Sequence, residues 1–397
     1  MESIQARFHV PFRYPVHFTT GLFSIGNPLL AETIGAEEIG LPRKVLFVVD
    51  RGVVKHRPAL IPAIEAYCGR HGAVMNSVSP PLILTGGEEA KNRPEYVATL
   101  HRAIDQGGLC RHAFLVAIGG GALIDMAGYA AATAHRGIRL IRVPTTVLAQ
   151  NDAAVGVKNS VNAFGKKNFL GTFSPPFAVL NDALFLKTLS HRDWRSGLAE
   201  AVKVALVKDP AFFALLEEKA PLLVARDPRA MEQAVHRCAA LHVSHITSNG
   251  DPFESGSSRP LDFGHWSAHK LEQLSGFTLR HGEAVAVGIA LDATYSHLAG
   301  FLDRAAWERI LALLSALRLS CYRPELRHPD LTDGLAEFRE HLGGPLTLLL
   351  LEEIGRPIEV HRIDPALLRE GIALLEQAQS NALKGGRPWN AISSPAR

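Results

Sequence analysis

Three separated residues have side chains that can bind a divalent metal together. Glu200 opens the run Glu-Ala-Val-Lys, His265 lies in Asp-Phe-Gly-His-Trp, and His281 begins His-Gly-Glu. Two imidazoles and one carboxylate make a three-ligand site that leaves coordination positions open for substrate oxygens. We therefore predict that Glu200, His265 and His281 hold one catalytic divalent ion, zinc or cobalt.

A lysine and a further histidine share helix faces with two of these ligands. Glu200 and Lys203 are three residues apart on a predicted helix, so the carboxylate can bind metal while the ammonium meets a substrate hydroxyl. A surface ion pair is the alternative, which the apolar residues around Glu200 disfavour. His269 follows His265 by four residues. It could be a fourth metal ligand, a phosphate donor or a buried structural histidine, and the phosphate role is favoured.

A triple-glycine turn suggests a dinucleotide site. An apolar run ends in Gly119-Gly-Gly121 before a predicted helix, and such a turn lets backbone amides approach a pyrophosphate at a helix N-terminus. A plain strand-to-helix turn is the alternative, because the order departs from Gly-x-Gly-x-x-Gly. Asp125 on the first turn of that helix, the loop 86–91 and the turn 144–146 offer further donors and acceptors. Together these features favour a nucleotide.

The composition is that of an ordinary globular chain. It has 397 residues, of which 47% are hydrophobic and 20% charged, and its net charge of +3 is too small to argue for nucleic acid. The four cysteines have no paired spacing, so we expect reduced thiols and a cytoplasmic protein. We expect neither a signal peptide nor a membrane span, because no basic start precedes an apolar run and no apolar stretch is long enough.

The elements that must position these residues change character along the chain. In the first half, short apolar runs alternate with helical segments, which is typical of a parallel sheet with helical crossovers. Predicted strands are Tyr14–Phe23 (as a strand or a hairpin), Lys44–Val49, Ala113–Ile118, Leu140–Val143 and, as the last clear one, Ala178–Leu180. Predicted helices in this region are Ala59–His71, Arg93–Gln106 and Ala122–Thr133.

Helical periodicity dominates after Asn181. Apolar residues recur with the α-helical period in Ser196–Val207, Pro210–Lys219, Arg229–Thr247, His265–Leu274, Gly282–Leu298 and Ala305–Leu317. We therefore predict two domains. The first, 1–182, is an α/β domain with a Rossmann-like parallel sheet that binds NAD; the second, 183–397, is an all-α domain that binds metal and substrate.

Several blocks in a fixed order carry a family resemblance. They are Gly119–Asp125, Arg136–Arg139, Val143–Thr146, Asn151–Lys158, Gly165–Asn168, Gly197–Lys203, Gly264–His265 and His281–Glu283. In this order, from about Tyr14 to Ile358, the chain resembles 3-dehydroquinate synthase and the wider sugar-phosphate cyclases, which are carbon–oxygen lyases acting on phosphates. Ordered blocks are far more specific than any single motif.

The resemblance implies a role for each matching residue. The NAD site would be lined by Asp50, Glu88, Lys91, Gly120, Gly121, Asp125, Thr145, Thr146, Lys167, Phe185, Thr188 and Leu189. Zinc would be held by Glu200, His265 and His281. The substrate would be faced by Asp152, Lys158, Asn168, Lys203 and His269, with Arg136 reaching its phosphate across a homodimer interface.

The resemblance also implies a reaction cycle. The metal polarises a secondary alcohol and NAD takes its hydride, so the neighbouring C–H becomes acidic and phosphate leaves by elimination. The hydride then returns, the ring opens, and an intramolecular aldol step closes a carbocycle. NAD is regenerated in each turnover, and the phosphate is bound by Arg136, Lys158, Asn168 and His269.

The chain departs from true dehydroquinate synthases where those enzymes hold the substrate carboxylate. Counted without gaps from Gly264-His265, the family's lysine, arginine and asparagine positions fall on Ser244, Ser258 and Asp262. Histidines near the first position, and the nearest candidate for a late family lysine, are His242, His245 and His341.

These departures favour a substrate with an uncharged head group. A lost bidentate arginine removes a charge-assisted pair, and Asp262 would repel an anion, although Arg259 or Arg280 could substitute. The run Asp-Phe-Gly-His is similar to cyclases that act on sedoheptulose 7-phosphate, whose end group is a neutral hydroxymethyl. Those enzymes usually carry proline where this chain has His269. We therefore include Asp262 in the catalytic set and predict a seven-carbon ketose phosphate as substrate.

Two other enzymes are alternatives. The first is 3-dehydroquinate synthase acting on 3-deoxy-D-arabino-heptulosonate 7-phosphate. The second is an NAD- and metal-dependent polyol dehydrogenase, which would not need Lys158, Lys203 and Asn168 for phosphate. A degenerate binding module is disfavoured while the metal ligands and the glycine turn are all present.

Overall fold

The computed structural model describes residues 3–37, 42–248, 252–253 and 260–383. The chain packs as two compact units, of which the first comprises Met1–Thr145 with Ala153–Thr188 and the second Thr146–Asp152 with Leu189–Arg397. The boundary between the two units therefore lies after Thr188, and the short segment Thr146–Asp152 packs with the second unit. A functional division near residue 182 stays a prediction.

The first unit is built on a parallel sheet. Its described strands are β1 (Val16–Thr19), β2 (Arg43–Asp50), β3 (Met75–Ser77), β4 (Leu82–Leu84), β5 (Phe114–Gly119), β6 (Arg139–Pro144), β7 (Lys158–Ala163), β8 (Lys166–Phe173) and β9 (Ala178–Asp182). The strand order is β1-β9-β6-β5-β2-β3, with β4 also paired to β2, and every pair in this sheet is parallel. Strand β5 is buried along its whole length, as a sheet covered by helices on both faces requires.

Helices connect these strands and cover the sheet. They are α1 (Leu29–Gly35), α2 (Arg51–His56), α3 (Leu60–Arg70), α4 (Glu89–Asn92), α5 (Pro94–Gln106), α6 (Gly121–Thr133) and α7 (Ala183–Leu186). The registers Val49↔Ile118 and Gly119↔Pro144 bring the carboxyl ends of β2, β5 and β6 to one edge of the sheet. That edge is where open parallel sheets bind ligands.

One strand prediction is wrong in part, and one hairpin is missing from the predictions. The segment Tyr14–Phe23 is not a hairpin, because its one strand, β1, pairs in parallel with the distant β9. Lys158 lies at the start of a strand, since β7 and β8 form an antiparallel hairpin. The polar run that begins Lys-Asn-Ser gives this hairpin a weak sequence signal.

The second unit is predominantly helical. Its described helices are α8 (His191–Ser196), α9 (Leu198–Lys208), α10 (Pro210–Val224), α11 (Pro228–Ser248), α12 (His265–Leu274), α13 (His281–Leu298), α14 (Arg304–Ala316), α15 (Asp333–Leu342) and α16 (Pro365–Leu383). One antiparallel hairpin, β10 (Leu348–Glu353) with β11 (Arg356–Val360), was not expected. The predicted strand Ala178–Leu180 lies within β9, but it is not the last strand, because β10 and β11 follow it.

Two helices form the centre of this unit. Every residue of α9 from Leu198 to Val207 is buried, and α13 is buried over nearly its whole length. A helix that is apolar on all sides belongs in a core. Because Glu200 and Lys203 lie on α9, their pairing is a buried one, and the surface-pair alternative is wrong.

One glycine allows α12 and α13 to approach closely. Gly264 precedes α12 with φ +78°, and a Cβ there would lie 2.7 Å from the backbone nitrogen of Ile289. A side chain at this position would therefore force α12 away from α13. The close approach fixes where His265, the first residue of α12, enters the interior.

No described helix of this chain combines the length and the apolar character that crossing a membrane requires.

Candidate metal centre and nucleotide site

The three predicted metal ligands converge. Glu200 Oε1 lies 3.6 Å from His265 Nε2 and 3.4 Å from His281 Nε2. Two ligands held tetrahedrally at about 2.1 Å from zinc lie about 3.4 Å apart. The three side chains, which come from α9, α12 and α13, are thus spaced to share one ion.

Both histidines are oriented through their other ring nitrogen. His281 Nδ1 lies 2.9 Å from Glu272 Oε2, and His265 Nδ1 lies 3.2 Å from the carbonyl oxygen of Phe263. Acceptors at these positions hold the proton on Nδ1 and leave the Nε2 lone pair directed at Glu200. Glu272 was missed from the sequence, although it lies seven residues after His265 and so shares its helix face.

The electrostatics of Glu200 favour a bound cation. Its side chain is 0% exposed, and its Oε1 faces the Nε2 atoms of both imidazoles. Burial would raise the pKa of Glu200, but the Lys203 ammonium outweighs it and lowers this pKa to about 2. Burial also lowers the pKa of His265, with Lys203 acting in the same direction. An ionised carboxylate beside neutral imidazoles is the protonation state that binds a metal.

A buried lysine joins Glu200 to a second carboxylate. Lys203 Nζ lies 2.5 Å from Glu200 Oε2 and 4.0 Å from Asp152 Oδ1. Burial would lower the pKa of Lys203, yet the two carboxylates raise it above its ordinary value. For Asp152 the burial effect is likewise outweighed, by Lys203 and by His242, so its pKa is depressed.

His242 is the second residue that sequence reasoning missed. Its Nδ1 lies 2.9 Å from Asp152 Oδ1, and its side chain is largely buried. The sequence indicated His242 only as a neighbour of the family's lysine position at Ser244. The contact joins α11 to the segment Ala149–Ala153, far away in the sequence, so the spacing along the chain does not reveal it.

Asp262 and His269 adjoin the same cluster. The charge of Asp262 raises the pKa of both Lys203 and His265, although it is a smaller effect than burial in each case. The His269 ring centre lies 5.5 Å from that of His265 and 5.9 Å from that of His281. His269, Glu272 and His281 also form a second set of ligand atoms within 4.8 Å of one another. The fourth-ligand and phosphate-donor roles of His269 therefore both stay open.

Other residues singled out from the sequence contribute less to the described site. Arg280 pairs with Asp193 at 3.1 Å. Ser258 and Arg259 lie outside the described residues, as does the side chain of His341.

Asp292 on α13 holds both neighbours of His265. Its Oδ2 accepts a 2.9 Å hydrogen bond from the Gly264 amide, and its Oδ1 accepts one of 2.9 Å from the Trp266 indole. Burial raises the pKa of Asp292 to about 7 despite these two donors. Asp292 is therefore placed to fix the backbone that presents His265.

The raised pKa of Asp292 predicts a pH-dependent stability. Between the unfolded value near 4 and about 7, the folded state holds the proton and the unfolded state does not. The free energy of unfolding should therefore fall as pH rises through this window, by about 1.4 kcal/mol per pH unit from this group. Urea denaturation of wild type and Asp292→Asn at pH 5 and pH 7 measures it. The variant should lack this part of the slope, whereas Asp333→Asn, at an exposed site on α15, should keep it. Equal slopes in wild type and Asp292→Asn would contradict the assignment.

In the first unit, the predicted nucleotide residues gather where β2, β5 and β6 end. Asp50 follows the apolar part of β2, and its carboxylate accepts from the backbone amides of Gly52, Gly86 and Gly120. Burial raises its pKa, and these amides partly offset the rise. Thr145 N donates to the carbonyl oxygen of Gly119 at 2.9 Å, which fixes the turn after β6 to the glycine turn.

A buried lysine organises the polar residues nearby. Lys91 Nζ lies 2.7 Å from Asp125 Oδ2 and also contacts Asn168 Oδ1. Asn168, which has φ +56°, also accepts from the Ser160 hydroxyl at 2.9 Å. Sequence reasoning assigned Lys91 and Asp125 to the cofactor and Asn168 to the substrate, and the structure brings all three together.

Glu88 and Lys167 extend this polar group. Their side chains lie 3.8 Å apart, and Glu88 Oε1 also accepts a 2.7 Å hydrogen bond from Asn162 Nδ2. Because Asn162 and Lys167 belong to the β7–β8 hairpin, the missed hairpin is the element that carries several predicted site residues.

The segment before this hairpin is held by a buried arginine. Arg142 on β6 is 0% exposed and donates to the carbonyl oxygens of Ala154, Gly156 and Lys158 at 2.9, 2.6 and 3.1 Å. Burial lowers its pKa to about 10. Arg142 thereby fixes the backbone of Lys158, whose side chain is exposed.

The remaining predicted residues belong to several elements of the two units. Arg136 is exposed at the end of a short helical turn, with φ +62°. Phe185 is buried under the Arg57 guanidinium, and Thr188 donates to its carbonyl oxygen at 2.8 Å. Gly121 begins α6. Thr146 and Leu189, half-buried, belong to the second unit.

Comparison with known proteins places this arrangement in one family. The family models for the N-terminal and C-terminal parts of 3-dehydroquinate synthase match residues 81–196 and 197–337. The 3-dehydroquinate synthase of Halorhodospira halophila is 34% identical over 90% of this chain and 95% of its own. That of Geobacter sp. is 43% identical over 62% of this chain and 67% of its own.

A solved structure matches both the fold and the sequence. The valiolone synthase ValA of Streptomyces hygroscopicus, solved with NAD+ and Zn2+ bound, is 30% identical with a TM-score of 0.85, over 94% of this chain and 99% of its own. Its fold confirms the expected combination of an α/β unit and a helical unit. The family models cover well over half of the sequence, and the residues that they match include the metal cluster and the glycine turn. The chain therefore belongs to the 3-dehydroquinate synthase family, a family of carbon–oxygen lyases that includes sugar-phosphate cyclases.

Proposed function

We propose that this enzyme is an NAD- and divalent-metal-dependent cyclase of a seven-carbon ketose phosphate with an uncharged head group. The single observation that carries the substrate class is the position of the Asp262 carboxylate, three residues before His265 at the end of a short helical turn, Pro260–Asp262, that packs against α9. An anionic substrate head group near this carboxylate would be repelled, whereas a hydroxymethyl could donate a hydrogen bond to it. The sedoheptulose 7-phosphate type of substrate meets this requirement.

The cofactors follow from the donor sets. Glu200, His265 and His281 would hold zinc or cobalt, and the residues around Asp50, Gly120 and Lys91 would hold NAD. ValA, which is 30% identical, was solved with both NAD+ and Zn2+. When bound, the metal would act as a Lewis acid on a substrate hydroxyl and NAD would supply reversible hydride transfer.

The chain's own residues bind the substrate and hold its protons. Lys203 Nζ stays charged between Glu200 and Asp152, so it can donate to a substrate oxygen without losing its proton. Asp152 and His242 share a contact of 2.9 Å, and such a pair can take a proton from a substrate hydroxyl and return it. Lys158, Asn168, His269 and Arg136 are the proposed phosphate-binding groups.

A second candidate is 3-dehydroquinate synthase itself. It is supported by the curated relatives, which are 34% and 43% identical and carry that name. This reading requires a cationic partner for a substrate carboxylate. Arg280 is the described candidate, but it is already paired with Asp193 at 3.1 Å.

Phosphate release tests the proposal. The enzyme loaded with NAD and zinc is incubated separately with sedoheptulose 7-phosphate and with 3-deoxy-D-arabino-heptulosonate 7-phosphate. We expect release of inorganic phosphate from the first without accumulation of NADH, because the hydride returns in each turnover. Release from the carboxylated sugar alone would instead establish the shikimate activity, and stoichiometric NADH would indicate a dehydrogenase.

We also propose a homodimer. Phe164, Phe169 and Phe173 on the β7–β8 hairpin are 85%, 49% and 47% exposed, which is an apolar surface of the kind that protein interfaces cover. A second copy on this hairpin would suit the role proposed for Arg136. A cytoplasmic location likewise stays a proposal, and it agrees with four free cysteines, among which burial raises the pKa of Cys321 to about 12.

A further inference from the structure

A cavity in the second unit has a strongly basic lining. Its volume is about 300 Å³, and its charged walls are Arg192, Arg195, Arg318, Arg323 and Glu283. Volumes of this order suit small-molecule ligands. The cavity contains none of the residues proposed above for metal, NAD or substrate.

The one acidic wall residue is already engaged. Glu283 accepts hydrogen bonds of 2.7 and 2.6 Å from Arg192, and its Oε2 also accepts from the Arg280 amide at 3.0 Å. Glu283 therefore neutralises Arg192 and caps the start of α13. Its carboxylate has little capacity left for the other arginines.

Two of the remaining arginines carry uncompensated charge. Arg195 donates from Nε to the His191 carbonyl oxygen, and no described carboxylate pairs with Arg195 or Arg318. Arg323 lies 3.4 Å from Glu325, so its charge is shared with that carboxylate. An anionic ligand in the cavity would balance the charges of Arg195 and Arg318.

Arg318 occupies a backbone position that favours glycine. It follows α14 with φ +59°, where its amide bonds to Ser315 O and the next amide, of Leu319, bonds to Leu314 O. This is the left-handed cap that ends many helices, and a side chain there costs about 1 kcal/mol. An arginine is thus kept at the cavity where glycine would make the better cap.

We propose that this cavity binds a phosphate-bearing small molecule at a site separate from the active site. Planar guanidinium groups bind phosphate oxygens in pairs, and a phosphate supplies the two negative charges that Arg195 and Arg318 leave unmet. The cavity is adjacent to the metal centre through the wall residue Ser196. A Cβ on Gly282, the neighbour of His281, would lie 1.9 Å from the Ser196 carbonyl oxygen. Occupancy of the cavity would therefore bear on the backbone that carries a metal ligand.

Replacing Arg318 by glycine separates binding from folding. Pyrophosphate is titrated calorimetrically into the enzyme loaded with NAD and zinc, for wild type and Arg318→Gly. The variant should melt at the same temperature as wild type or higher, because glycine suits the cap. Its affinity for pyrophosphate should nonetheless fall by about tenfold or more, since a charge-assisted contact is lost.

Arg226→Gly is a matched control. Arg226 has φ +65° and caps α10 in the same way, but its guanidinium stacks on Trp194 and does not line the cavity. A second control, Arg136→Gln, removes a guanidinium from the proposed phosphate site of the substrate. Both controls should keep the pyrophosphate affinity that Arg318→Gly loses.

Three results would overturn the proposal. They are no saturable pyrophosphate binding to wild type, equal affinity in wild type and Arg318→Gly, and an equal loss in Arg226→Gly. Loss confined to Arg136→Gln would likewise reject the cavity, because it would assign the pyrophosphate to the active site. Displacement of pyrophosphate by citrate at lower concentration would show a polycarboxylate site and reject the phosphate assignment. Turnover of the sugar phosphate is not part of this test, so the two proposals can fail independently.

Discussion

Replacing Glu200 by glutamine is expected to remove the metal and the activity together. The substitution keeps the shape of the side chain but removes the carboxylate that faces both His265 Nε2 and His281 Nε2. It also leaves the buried Lys203 ammonium without its closest partner. We expect zinc affinity to fall by at least about 100-fold and kcat/KM by at least about a thousandfold, since a ligand and not merely its support is lost.

Metal content after dialysis and turnover at saturating zinc measure the two effects separately. The control is Glu218→Gln, because Glu218 is 68% exposed and pairs only with the adjacent Lys219 among the described residues. That variant should keep full metal occupancy. Normal zinc binding and normal turnover in Glu200→Gln would reject the proposed metal centre.

Replacing Lys203 by methionine is expected to have the largest effect on stability. Lys203 is 2% exposed and lies between Glu200 and Asp152, so its loss leaves two buried carboxylates without their cation. Removing one partner from a buried ion pair costs about 3–5 kcal/mol. We expect a loss of this size in the free energy of unfolding of the metal-free protein, measured by urea denaturation at pH 7.

The contribution of Glu200 and Asp152 to the pH dependence should change sign in this variant. In wild type, the pKa values of Glu200 and Asp152 are depressed, so their stabilisation is present above the unfolded values near 4 and is lost as pH falls below them. Without Lys203, burial should raise both pKa values instead. The variant should then gain more stability than wild type between pH 7 and pH 5, as these carboxylates bind protons, because the contribution of Asp292 is the same in both proteins.

Lys208→Met is the matched control for this experiment. Lys208 is at the end of the same helix, α9, and is only half-buried. Its replacement should cost little and leave the pH profile unchanged. A Lys203→Met protein that is as stable as this control, or that gains no more stability than the control between pH 7 and pH 5, would contradict the ion-pair network.

The principal elements of the fold followed from local patterns. The apolar run Lys44–Val49 lies within β2, and Ala113–Ile118 coincides with β5 except at its first residue. The periodic segments from residue 196 onward correspond to α9 to α14. Buried strands and amphipathic helices are set by periodicity within one segment, which is readable along the chain. The β7–β8 and β10–β11 hairpins were missed, because polar or short strands have weak patterns and gain stability from what they pair with.

The candidate metal ligands could be chosen from the sequence because histidine and glutamate are residue types that bind zinc. The residues that contact and orient these ligands could not be chosen in this way. These contacts join elements that are separate in the sequence and meet only when the helices pack. They are Glu272 with His281, His242 with Asp152, and Asp292 with the neighbours of His265. The protonation of these groups depends in turn on burial, which exists only once α9, α12 and α13 have come together. The residue types along the chain thus indicated which side chains are able to bind a metal. The folded arrangement sets their orientation and charge, because both depend on neighbours that only tertiary packing supplies.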